Sequence, residues 1–87
     1  MKIDFNTLIH EYNTEKGKIP GISPLSECLT KSDLAREMVE AAIHISFKSA
    51  LNMIHYHQKG TAKSADFKML DFLMKKFNKP VNEILTS

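Results

Sequence analysis

The chain has one cysteine, no tryptophan, three glycines and three prolines in 87 residues. It has no apolar run approaching the roughly 20 residues that cross a bilayer. Each scarcity excludes something. The lone thiol of Cys28 has no partner for an intrachain disulfide and no second cysteine with which to build a zinc knuckle, so its expected role is a small apolar filler. The opening MKIDFNTL lacks the apolar stretch of a secretion signal, and a cytoplasmic location without membrane association is expected. No glycine-rich phosphate loop occurs, Cys28 has no identifiable histidine partner, and Glu37 with Glu40 reads as a solvated face. No catalytic residue and no cofactor are therefore expected, and an enzyme is not. The most consequential absence is of acid: no aspartate or glutamate occurs from Ala41 through Ala65.

What is present is a divided charge. The net formal charge is +2, but residues 1–43 hold five basic and seven acidic side chains, whereas residues 44–87 hold seven and three. A polyanion or an acidic protein surface would meet the second half, unless its lysines simply form a solvated face.

The length fits one domain, residues 1–87, with a single core. Asp4 reads as an N-cap with Ile3 and Leu8 at staple positions, and Phe5, Leu8, Ile9 and Tyr12 keep helical spacing until Gly17, which predicts a helix over about residues 4–16. In KIPGISPLS the prolines and glycine forbid regular structure, and Pro24 can open a short helical turn through Leu29. Thr30 with Asp33 marks a capping box, after which no proline or glycine appears until Gly60. One continuous helix would run about 43 Å. A break near Ser46 is favoured, because Ile43 and Ile45 are β-branched and Ser46 can cap a new helix. Ser64 can cap the next helix, with Asp66 in its first turn and Phe67, Leu70, Leu73, Met74 and Phe77 as its buried stripe. Asn78-Lys79 ends it before Pro80, which opens a short final helix carrying Val81, Ile84 and Leu85 inward. With no strand-like alternation, the fold class is all-α, a compact bundle of four to five helices.

Lys48, Asn52, His55 and Lys59 are spaced four, three and four residues apart, which places them on one helix face. Phe47, Ala50, Leu51 and Ile54 form the opposite, apolar face. The four histidines do not predict a metal site. His55 and His57 point to nearly opposite sides of a helix, and His44 and His55 would lie about 16 Å apart. Surface or partly buried positions are expected for them.

The block GTAKSADFKMLDFLMKKFNKPVNEIL, Gly60 to Leu85, resembles the closing part of phage-repressor-type (Cro-like) helix-turn-helix domains: a glycine turn, a polar loop, an amphipathic helix and a short last helix. KSDLARE, Lys31 to Glu37, resembles that family's second helix, with Leu34 and Ala35 where a leucine-alanine pair packs against the recognition helix. The spacing differs. Ala35 and Gly60 are 25 positions apart, about nine more than in a compact helix-turn-helix, so either the second helix is lengthened through Val39, Ala42 and Ile43 or only the C-terminal helices are shared.

The resemblance implies a helix-turn-helix transcriptional regulator that binds duplex DNA, and because one copy has too few cations for tight binding, a homodimer on a two-fold site is expected. A helix starting near Ser46 would then present Asn52 to adenine and Ser49 and His55 to base edges or backbone. Lys48, Lys59 and Lys63 would contact phosphates, while the Thr61 and Ser64 hydroxyls fix register. The first helix and the Ile84-Leu85 end are candidates for the dimer seam. The alternative is a small helical module that binds another protein, such as a phage inhibitor, an immunity-type protein or an adaptor. In that reading Met38, Met53, Met69 and Met74 supply a contact patch, unless they are core filler.

Overall fold

Asp4 starts the first helix as its sequence position suggests: its carboxylate accepts the Thr7 N–H at 3.2 Å and the Thr7 hydroxyl at 2.8 Å. Helix α1 follows over Phe5–Glu15. In this computed structural model, which describes residues 2–19, 21–62 and 65–86, the other helices are α2 (Lys31–Glu40), α3 (Phe47–Lys59), α4 (Phe67–Phe77) and α5 (Val81–Ile84). The all-α bundle is thus observed. One element is absent from the sequence expectations: β1 (Lys2–Ile3) pairs antiparallel with β2 (Leu85–Thr86), setting Ile3 opposite Leu85. Two-residue strands are too short to leave an alternation in the sequence.

The connection from α1 to α2 holds a single 3-10 turn, Leu25–Glu27, where a helical turn was expected. Buried Asn13 anchors its far end. Its side-chain amide donates to the Leu29 carbonyl at 3.0 Å and its side-chain oxygen accepts the Leu29 N–H at 2.7 Å. Two backbone groups are thereby satisfied without secondary structure.

Thr30 and Asp33 form the predicted capping box at the start of α2. The helix ends at Glu40, so it is not lengthened through Ala42 and Ile43. Ala42 stands in the left-handed region at φ 59°. Its N–H reaches the Val39 carbonyl, and the Ile43 N–H reaches the Met38 carbonyl. This is the Schellman pattern with alanine where glycine ordinarily sits, at a conformational cost of about 1 kcal/mol. Residues 41–46 then turn the chain, and Ser46 Oγ accepts the Ser49 N–H at 3.1 Å to cap α3. The segment 31–59 is therefore two helices.

The core is built from Ile3, Phe5 and Leu8; Leu34, Ala35 and Met38; Ala50 and Ile54; Met69, Leu70, Leu73 and Phe77; and Ile84. Each fully buried Leu, Ile, Met or Phe among these contributes about 1.5–3 kcal/mol. Met38 and Met69 are buried and Met53 and Met74 partly so, which makes the methionines filler more than a contact patch. Cys28 is buried as expected.

Several burial expectations fail. Phe67 is 86% exposed, because α4 begins with it and Asp66, which accepts the Lys68 N–H at 3.0 Å, is the cap. The inward stripe starts two residues later, at Met69. The expected cap, Ser64, lies outside the described residues. Val81 is exposed and Ile84 takes the inward position of α5. Ile84 is buried and Leu85 pairs with Ile3, so both make contacts within the chain.

Candidate nucleic-acid interface

Helix α3 packs most extensively against α2 and also touches α1 and β1. At about 100° per residue, Ala50, Ile54 and His57 fall together on its inner side, and all three are buried. Phe47, expected with them, is 39% exposed at the first helical position, where the Arg36 guanidinium lies 5.3 Å from its ring centroid.

Both ends of α3 are fixed. Ser46 caps the first turn, and Gly60 ends the last in the left-handed conformation at φ 78°. The Thr61 N–H and hydroxyl both donate to the Tyr56 carbonyl, at 3.0 and 3.2 Å. Gln58 then bridges to α1, its amide donating to Asp4 at 3.0 Å while its oxygen accepts the Asn6 N–H at 2.9 Å. The hydrogen bonds from Gln58 and Thr7 hold the Asp4 carboxyl below its ordinary pKa.

The outer side carries the predicted stripe. Lys48, Asn52, His55 and Lys59 are all exposed, and Ser49 beside them is half-buried. Lys48, Asn52 and Lys59 have no side-chain hydrogen bond or ion pair among the described residues. Thr61 is exposed, but its hydroxyl proton is committed to Tyr56, so it can offer a ligand its lone pairs alone. Lys63 and Ser64, expected to extend the site, lie outside the described residues.

Tyr56 is the residue the spacing argument passed over. It stands four positions after Asn52 on the same outer arc, is half exposed, and its ring centroid lies 6.0 Å from that of His55. With Ser46, Lys48, Ser49, Asn52 and Met53 it lines an open groove along α3. Counting from Asn52 in steps of four, as from Lys48, would have found it.

His57 departs from the surface or partly buried position expected of it. His57 is fully buried, and neither ring nitrogen has a hydrogen-bond partner among the described residues. It shares the inner face with Ala50 and Ile54, seven and three positions before it. Burial pushes its pKa down. Nε2 of His44 is likewise buried without a partner among the described residues. No group of three His, Cys, Asp or Glu side chains that could hold a metal ion is found among the described residues.

The free state of Lys48 and Lys59 contrasts with that of Lys76 and Lys79. Lys76 Nζ meets both oxygens of Glu37, at 2.8 and 3.1 Å, and lies 5.0 Å from the Tyr12 ring centroid. Burial opposes its charge, but the Glu37 hydrogen bond and charge, with Tyr12 assisting, carry the pKa above its ordinary value. Lys79 meets Glu11 at 2.9 Å, and that bond likewise raises its pKa. Two of the surplus cations of the second half are thus neutralised by carboxylates of the first.

No described helix is long and apolar enough to cross a membrane. The chain matches no protein-family model, no curated protein and no solved structure.

Proposed function

We propose that the chain is a small DNA-binding regulator of helix-turn-helix type, in which α2, the turn over residues 41–46 and α3 form the binding unit and the outer face of α3 enters the major groove. One observation carries this reading: Lys48 and Lys59 flank Asn52 on an exposed helix face without a carboxylate among the described residues to neutralise them. Ordinary exposed helices mix signs and gain ion pairs at this spacing. Asn52 suits adenine, Ser49 and His55 suit single base-edge or backbone bonds, and the lysines suit phosphates. Two or three phosphate contacts are few for one copy, so binding as a homodimer on a two-fold site belongs to the proposal.

The test is duplex binding across a salt series. Wild type should show a steep slope of log affinity against log salt, and Lys48→Ala should lower it by about 0.9 for each copy bound. Asn52→Ala should relax sequence choice with the slope retained. Binding that is absent or insensitive to salt would sink the reading. It would favour the second one, a module for a protein partner, whose support is the exposed aliphatic pair Ile22 and Leu25, 80% and 72% accessible, on the α1–α2 connection.

A further inference from the structure

The groove along α3 is lined by unlike groups. Lys48 and Asn52 supply polar groups; Met53, half-buried, and Tyr56, half-exposed and three positions on, supply an apolar wall of a thioether and an aromatic ring, with Ser46 and Ser49 near the helix start. A solvated helix face has no need of the apolar wall. Among the four base pairs, an A·T pair presents a matching pair of features in the major groove: the N6/N7 edge of adenine, which a carboxamide reads bidentately, and the thymine C5-methyl, which takes an apolar contact. The unneutralised lysines bring a polyanionic ligand to this side of the molecule.

We propose that this groove reads an A·T pair, with Asn52 on the adenine edge and the Met53–Tyr56 wall on the thymine methyl. Tyr56 is then a specificity-determining residue. The inference rests on the duplex-binding function proposed above, and it adds the identity of the base pair and the group that selects it. The aromatic ring does the selecting, not the phenolic hydroxyl.

Uracil differs from thymine at this edge by that methyl alone, so the test uses three labelled duplex pools: A·T-only, the same with uracil for thymine, and G·C-only. Titrations followed by fluorescence anisotropy should show wild type preferring A·T over G·C by about 5- to 150-fold. Thymine should bind better than uracil by about fourfold, the worth of one buried methyl. Tyr56→Ala should abolish the thymine preference with the salt slope unchanged, and Tyr56→Phe should retain it. Asn52→Ala should cut the A·T preference to about the fourfold that the thymine methyl supplies. Helicity by circular dichroism verifies that each variant is folded. Equal binding of the thymine and uracil pools by wild type, or a thymine preference that survives in folded Tyr56→Ala, overturns this inference while leaving duplex binding standing. Failure of wild type to bind any pool in a salt-dependent way overturns both.

Discussion

Helices α3 and α4 are of similar length, and each buries one apolar face; Lys68 in the first turn of α4 has no ion pair among the described residues, but the lysines at the far end of α4 differ from those of α3. At the end of α4 and just beyond it, Lys75, Lys76 and Lys79 meet Asp71, Glu37 and Glu11. On α3, Lys48 and Lys59 meet no carboxylate among the described residues. The same residue type therefore has two environments. Lysines of the first set link α4 to its own turn, to α2 and to α1; those of the second make no ion pair among the described residues. Formal charge counted along the sequence cannot separate these cases, because it ignores which cations are already neutralised in the fold.

The comparison breaks most visibly if the two sets are swapped in one assay. Lys48→Ala combined with Lys59→Ala should lower duplex affinity by about 10- to 100-fold for each copy bound at roughly 0.1 M salt, with unfolding stability within about 0.5 kcal/mol of wild type. Glu37→Ala should do the reverse. It leaves the partly buried Lys76 without its carboxylate and should reduce stability by about 1 kcal/mol, with the salt slope of binding unaltered. Urea melts and anisotropy titrations on the same preparations would expose either set behaving like the other.

The inner face of α3 sharpens the contrast through pH. Burial lowers the pKa of His57 in the folded chain, so on acidification the unfolded chain takes up the proton first. The stability held by neutral His57 is complete above about pH 6.5 and should decline below it by up to about 1.4 kcal/mol per pH unit. His57→Leu should flatten that decline in urea melts run from about pH 7.5 to about 5.5. A decline of the same size in that variant would assign it to other groups.

The smallest expected effect concerns the turn that sets α3 apart from α2. Ala42→Gly removes the left-handed strain at φ 59° and should raise stability by about 0.5–1 kcal/mol, read as a shift in the urea midpoint. A loss would mean that the turn gains more from the methyl than the backbone loses.

The outer stripe was legible because it depends on helical spacing alone, and Ser46 revealed the start of α3 through its capping chemistry. The end of α2 was harder to read. Its left-handed residue is alanine, and the glycine that ordinarily announces a Schellman turn is absent. Phe67 misled because an apolar residue at the first helical position can point either way before the register of the stripe is established. The bridges from Lys76 to Glu37 and from Lys79 to Glu11 join residues remote in sequence, so no local pattern records them. Tyr56 was hidden by its own chemistry: a search for basic and amide groups steps over an aromatic ring lying between them.

The short pairing of Ile3 with Leu85 bears on the order of assembly. It joins positions roughly eighty residues apart, and closing so large a ring forfeits on the order of 4 kcal/mol of chain entropy when nothing else has formed. Helices α2 and α3 are neighbours in sequence and need no such closure, so they can meet early. The clasp between the strands would then be the last piece to lock and the first to open, and amide hydrogens there should exchange sooner than those in the middle of α3.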